Sequence, residues 1–327
     1  TGPRFLQTMK RDSSSSELWA YLNGHLVRGR DAAISIYDRG VQWGDAVYDS
    51  IRTYNGKPFK MAERIDRFHR SSYYARINLG LSSKELVKIT EEVLRANLPL
   101  LQPGDDLMLN YYVSRASMRL TNGLTPQGTF AIFCRPLAFA SVARFYVTGA
   151  PAMVPTTRRT PPQSISPKAK AANKINHHLA ELEAKAFNPD AYAIMADLDG
   201  NITEGSSANF LFVTNNRIKV PATQFVLSGE DMAAVLQLAS DMQIPTDEGT
   251  YSTYDVYTSS EAFLTTNSFG ILPIVSLNGL PIGSGEVGPL TRRLMHAWID
   301  LVETDFVAQA LEHLPNEEKD HLMKQWL

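Results

Sequence analysis

The sequence predicts two α+β halves joined by a short linker, and three observations carry that prediction. Two Asn-Gly dipeptides, Asn23-Gly24 and Asn55-Gly56, sit between short apolar runs, which is the signature of a β-hairpin. Strand-like runs give way to helical spacing in each half. Between the halves, residues 137–145 read as the linker, leaving an N-terminal domain at 18–136 and a C-terminal domain at 146–327.

Taken in order, residues 1–17, "TGPRFLQTMKRDSSSSE", hold a serine tract and no continuous apolar run, so a disordered extension is expected and a secretory leader is not. "LWAYLNGHLVRG" and "AVYDSIRTYNGKPFKM" are the two hairpins. "ERIDRFHRSSYYARIN" changes to helical spacing through Ile65, Phe68 and Tyr73. "SSKELVKITEEVLRANL" is an amphipathic helix opened by a capping box from Ser82 to Glu85. "DLMLNYYVSRAS" and "GTFAIFCRPL" read as strands. The second half opens on the strand-like "RFYVTGAPAMVPTT" and the Pro-rich "RRTPPQSISP". A lysine-rich helix, the strand "AYAIMAD" and a turn at Asp199-Gly200 follow, and then "ITEGSSANFLFVTNN". "GEDMAAVLQLASDM" is a helix after Gly229, "EAFLTTNSFGILPIVSLNG" runs a strand into a small-residue loop, and "GPLTRRLMHAWIDLVETDF" is a closing helix.

Composition narrows the function. At 44% apolar residues the chain can build a full core, and 32 basic against 34 acidic residues leave a formal charge of −2. Nucleic-acid binders and membrane-surface proteins need a concentrated positive field, so neither nucleic acid nor membrane is expected as a partner. No apolar run is long enough to span a bilayer. Cys134, the single cysteine, forms no intramolecular disulfide and reads as a strand residue rather than a nucleophile. The histidines have no metal-ligand spacing, and His177 and His178 point about 100° apart on a helix, so no metal is expected. A cytoplasmic enzyme fits these facts, and so does a cytoplasmic binding protein.

"SPKAKAANKINHHLAELEAK" concentrates four lysines. Ile175, Leu179, Leu182 and Ala186 make one apolar stripe, and Lys174 and Lys185 fall off it as ordinary charges. Lys168 and Lys170 stand at the helix entrance, where periodicity does not choose between them. Nearby features suit a phosphate-bearing ligand. Glu204 follows a turn in "NITEGSSANF", and "LSGED" and "TTNSFG" are small-residue loops of the kind that present backbone N–H groups to an anion.

In this order the segments resemble the class IV aminotransferases, the pyridoxal-phosphate enzymes of fold type IV. The resemblance runs from about residue 18 to 300 and is most specific at Ile202–Asn209, "ITEGSSAN". It implies two α+β domains with the cofactor between them, and a homodimer with shared active sites. Lys170 is implied as the Schiff-base lysine, standing three residues before Asn173 and a little over thirty before Glu204. Glu204 would face the pyridine nitrogen. Arg67 in "ERIDRFHR" matches the phosphate-binding arginine, with Arg64 and Arg70 as rivals. The main-chain N–H groups of Glu230 and Asp231 and the Thr266–Asn267 pair match the remaining phosphate contacts.

Two departures from the family pattern stand out. Glu230 and Asp231 occupy places where relatives carry an apolar residue and a Thr or Ser. Two carboxylates beside a phosphate would repel it, so either both face solvent while only their N–H groups bind, or cofactor affinity is low. The substrate positions are orthodox for neither branched-chain nor D-amino acid enzymes. Asn110 fills the arginine slot of the branched-chain enzymes and Val41 the tyrosine slot of the D-amino acid enzymes, while Arg115 and Arg119 are candidates to clamp a substrate carboxylate. The expected reaction moves an amino group between an amino acid or primary amine and a 2-oxo acid. A lyase of the aminodeoxychorismate type and a non-catalytic protein on the same scaffold are the alternatives.

Overall fold

The computed structural model describes residues 17–115 and 128–327. The chain divides after Leu137 into two compact units.

In the first unit β1 (Trp19–Leu22) and β2 (His25–Arg28) form the first hairpin. A short helix α1 (Arg39–Trp43) leads into β3 (Ala46–Tyr54), which turns back through β4 (Lys57–Pro58). Both turns rest on asparagine and glycine at positive φ, with Asn23 at 47° and Asn55 at 49°, a backbone that β-branched residues resist. Helices α2 (Met61–Tyr74) and α3 (Ser83–Asn97) precede β5 (Leu107–Ser114) and β6 (Phe130–Pro136). The strands form one six-stranded sheet in the order β2-β1-β6-β5-β3-β4. Ile65 and Phe68 of α2 and Leu86 and Val93 of α3 pack with Val47, Ile51, Leu109 and Ile132 of the sheet to make the core. The capping box at Ser82 and Glu85 opens α3 as expected. Tyr73 departs from the expected stripe and faces solvent.

The second unit begins with α4 (Ala143–Thr148), then β7 (Ala150–Met153), α5 (Ile175–Phe187), β8 (Tyr192–Ala196), β9 (Ile202–Gly205), β10 (Asn209–Thr214) and β11 (Arg217–Pro221). There follow α6 (Glu230–Asp241), β12 (Thr246–Gly249), α7 (Thr253–Tyr257), β13 (Glu261–Thr266), β14 (Gly270–Leu277) and β15 (Leu280–Pro281). Helices α8 (Pro289–Val302), α9 (Phe306–Leu311) and α10 (Asn316–Trp326) close the chain. The sheet runs β12-β11-β10-β13-β14-β7-β8-β9, and β9 also pairs with β10. Strands β10, β13, β14, β7, β8 and β9 therefore close on themselves, which brings β9 and the start of β10 side by side.

Two expectations change in this unit. "RFYVTG" is helical rather than extended, and Phe145, Tyr146 and Val147 are buried, so 143–145 belong to the packed unit and not to a free linker. The apolar stripe of the lysine helix faces outward. Ile175 is 77% and Leu182 67% exposed, while Ala180 and Ala184 are buried. The physical reason is size: the alanine face approaches closely the small residues Ala191 and Ala193 at β8, which bulky side chains on that face would prevent.

Candidate active site

In the second unit Glu204 lies on β9, beside the start of β10. Glu204 is buried. Its Oε1 accepts from Arg159 Nε at 2.7 Å. Its Oε2 accepts from the Leu227 N–H at 2.9 Å and, more weakly, from Asn209 Nδ2 at 3.4 Å. An ionised carboxylate has about four acceptor sites, so Glu204 retains capacity for one more donor. Arg159 is buried as well, and the pair is the compensated form in which a charge is tolerated inside a protein.

Arg159 lay inside the Pro-rich stretch and carried no pattern that marked it. Its place is set by neighbours along the chain. Its N–H donates to Ala196 O at 2.8 Å. The N–H groups of Thr156 and Thr157 donate to the Glu183 carboxylate at 2.6 and 3.1 Å. Asn176 Nδ2 donates to Thr160 Oγ1 at 2.9 Å. Both sides of Arg159 are thereby tied to α5 or β8.

Lys170 lies before α5 and is half-buried, whereas Lys168 is exposed. Lys174 is the residue at the N-cap of α5, and its Nζ lies 3.1 Å from Nε2 of buried His177. His177 Nδ1 lies 2.8 Å from Asn176 Oδ1, which assigns the proton to Nδ1 and leaves Nε2 to accept from the ammonium. Burial, and then the charges of Lys174, Arg159, His178 and Lys170, push the His177 imidazole down from 6.5 to about 2. The sign follows from linkage: the unfolded chain binds the proton first, so the stability due to neutral His177 is full above pH 6.5 and drains away toward pH 2. The expected slope is up to about 1.4 kcal/mol per pH unit. Acid unfolding of His177→Gln should accordingly be shallower below pH 6.5 than that of the parent. Identical acid limbs would remove this role.

The loops before α6 and after β13 carry the expected phosphate contacts. Gly229 caps α6 without a side chain, so it leaves the first-turn amides to other partners. A Cβ on Gly229 would stand 2.0 Å from Asn209 Oδ1, so any side chain there would have to displace the Asn209 amide. Asn209 Nδ2 also donates to Leu227 O at 2.9 Å, tying this loop to the Glu204 end. Thr266 Oγ1 donates to Ser207 O at 2.8 Å, and Asn267 is buried beside it in sequence. The buried Thr265 Oγ1 has no hydrogen-bond partner among the described residues. Asp231 is 5% exposed, which removes the alternative that it faces solvent, and Glu230 is half-buried.

In the first unit Arg67 is buried on α2 and grips Asp49 with both ends of its fork, Nε to Oδ2 at 2.9 Å and Nη2 to Oδ1 at 2.7 Å. Its rival Arg64 is not a surface charge: it is buried, and Nε donates to Phe59 O at 3.3 Å. Arg115 does not present a free fork to a substrate. Its Nε is held by Asp45 at 2.8 Å, Nη1 by Arg76 O at 2.9 Å and Nη2 by Ala75 O at 2.6 Å. Arg119 lies outside the described residues. Val41 is exposed on α1, and Asn110 is half-buried on β5 opposite Ser50. Burial lifts the Cys134 thiol to about 12, which leaves it unreactive. No cluster of metal-ligating side chains occurs among the described residues, and no described helix is long and apolar enough to cross a membrane.

Comparison with known proteins identifies the family. The family model "Amino-transferase class IV" matches residues 46–277. A Methanocaldococcus jannaschii protein, provisionally named a branched-chain-amino-acid aminotransferase, is 31% identical over 86% of this chain and 95% of its own length. A D-alanine aminotransferase of Staphylococcus aureus is 26% identical over 87% of this chain and 98% of its own. The crystal structure of Escherichia coli branched-chain amino acid aminotransferase superposes with a TM-score of 0.80 at 26% identity, covering 88% of this chain and 96% of that one.

Proposed function

The chain belongs to the class IV aminotransferases, a family of pyridoxal-phosphate enzymes, and from that premise we propose that it moves an amino group from an amino acid or primary amine to a 2-oxo acid with Lys170 as its catalytic lysine. The observation that carries the reading is Glu204, a buried carboxylate held from three sides with capacity for one more N–H. The fit to the cofactor is good at both ends. Glu204 suits a protonated pyridine nitrogen, and the glycine-capped start of α6 with Thr266 and Asn267 suits a phosphate. The buried Asp231 is the exception, since its charge opposes that of a phosphate.

Bound, the cofactor supplies an electron sink for the charge left when the substrate Cα loses its proton. Lys170 would hold the cofactor through Nζ and, once displaced by the substrate amine, move that proton between the substrate Cα and C4′ of the cofactor. Glu204 would accept a hydrogen bond from the ring nitrogen. Arg67 is kept as the proposed phosphate-binding arginine, and Glu230 and Asp231 as donors of main-chain N–H groups. On the substrate side Val41 and Asn110 remain proposed, and Arg115 does not.

A homodimer is part of the same reading. The exposed apolar stripe of Ile175, Leu179 and Leu182 on α5 supports it, since exposed apolar surface marks association sites. A light-scattering mass of one chain would remove it. Cytoplasmic location rests on the composition, with Cys134 as the single cysteine.

The test of function is a donor panel of L-amino acids, D-amino acids and (R)- and (S)-1-phenylethylamine, read as loss of the absorbance of the lysine-bound cofactor. Conversion by a donor alone is expected for one of these classes. A protein that keeps its cofactor yet is converted by none of them would leave the lyase reading in its place.

A further inference from the structure

Glu204 does not stand alone on β9, and its partner has a consequence for where a proton rests. A hydrogen bond between a carboxylate and a pyridine nitrogen has two forms with the same atoms. In one the proton sits on nitrogen and the carboxylate is negative; in the other the proton sits on oxygen and both groups are neutral. Burial by itself favours the neutral form, because it removes the water that would stabilise the charges. A fixed cation on the far side of the carboxylate favours the charged form. Arg159 is such a cation, with Nε 2.7 Å from Oε1 and both side chains buried.

We propose that Arg159 is a positioning residue which holds the Glu204 carboxylate in its charged form and so keeps the shared proton on the nitrogen of the cofactor ring. The proposal rests on the reading of Glu204 given above. The geometry around it separates two duties. Oε2 is oriented by the Leu227 N–H at 2.9 Å and by Asn209 Nδ2 at 3.4 Å, both uncharged donors. Oε1 takes the guanidinium. Removal of Arg159 would therefore leave the carboxylate aimed by its neutral neighbours but stripped of its countercharge. His177 cannot take over that duty: it is held neutral, and its Nδ1 faces Asn176. Arg159 itself is kept in place by its N–H bond to Ala196 O and by the anchored threonines before it, which fixes the direction of its fork.

The experiment uses the full chain loaded with pyridoxal 5′-phosphate labelled with 15N in the ring, because the ring resonance reports directly whether nitrogen carries a proton. The parent should give a protonated-nitrogen signal. Arg159→Gln should move it most of the way to the neutral-pyridine position, and Arg159→Lys, which restores a cation without the fork, should bring it part of the way back. In a Glu204→Gln background the further change Arg159→Gln should add nothing. A purely structural arginine would alter cofactor retention or melting but not the ring signal. If Arg159→Gln does not retain cofactor, Arg159→Lys alone decides: an intermediate signal supports the proposal and the parent signal overturns it. Should Glu204→Gln shift the resonance while both Arg159 variants keep the parent position, the proposal is wrong and the reading of Glu204 stands. Should Glu204→Gln itself leave the resonance unmoved, the reading of Glu204 fails first and the proposal falls with it.

Discussion

Replacing Lys170 with alanine is expected to stop turnover, lowering the rate by about 10⁴-fold, the upper range for a positioned proton-transfer group. The absorbance of lysine-bound cofactor should vanish, while the phosphate contacts and Glu204 can still hold the cofactor non-covalently. The neighbouring lysines provide the controls. Lys168 is exposed, so Lys168→Ala should act as a surface change. Lys174 already has a structural partner, donating to Nε2 of His177 at 3.1 Å at the start of α5. Its removal leaves a buried imidazole acceptor unsatisfied, which costs about 1–3 kcal/mol of stability but not the chemistry. Steady-state rates and the visible spectrum of the three variants together decide the assignment. If Lys170→Ala keeps both signals and Lys174→Ala loses both, the catalytic role belongs to Lys174.

The parts of this molecule that could be read in the sequence are those fixed within a few residues. Asn23-Gly24 and Asn55-Gly56 specify hairpins because their own backbone preference makes the turn. Ser82 and Glu85 specify a helix start because each satisfies the other's backbone. Glu204 stands out through the family resemblance of Ile202–Asn209, and β9 and β10 pair Glu204 with Asn209. Partners supplied from afar could not be read. Arg159 reaches Glu204 across 45 residues, and no local rule says which charge a buried carboxylate will meet. The lysine helix failed for a related reason. Periodicity finds the apolar stripe of Ile175, Leu179 and Leu182 but cannot tell that alanines on the other face offer the closer approach to β8. For Asp231 the sequence leaves two alternatives open, a side chain in solvent or a weakened hold on the cofactor. Its burial at the start of α6 is a feature of tertiary packing that composition does not reveal.

Arg67→Ala should show two losses that are measured separately. The first is affinity: a charge-assisted contact to phosphate is worth about 1.5–3 kcal/mol, so pyridoxal phosphate should bind roughly ten- to a hundred-fold more weakly. The second arises from Asp49, which is 1% exposed and receives both Nε and Nη2 of Arg67. Without the guanidinium this carboxylate is a buried charge with its strongest partner gone, a defect that costs about 3–5 kcal/mol. The first unit of the cofactor-free chain should therefore melt earlier, whatever happens at the phosphate. Excess cofactor should restore much of the activity but not the melting temperature of the cofactor-free protein. Asp49→Asn distinguishes the two losses, since it removes the ion pair and leaves Arg67 cationic. It should lower the melting temperature while holding or tightening cofactor affinity, because an anion no longer competes for the guanidinium. The double variant Arg67→Ala with Asp49→Ala completes the cycle. With the orphaned charge gone it should melt above Arg67→Ala alone, yet bind the cofactor just as weakly. A double variant no more stable than Arg67→Ala would mean that the uncompensated Asp49 charge is not the source of the stability loss, and Asp49→Asn with an affinity as poor as that of Arg67→Ala would mean that Arg67 acts on the phosphate only through Asp49.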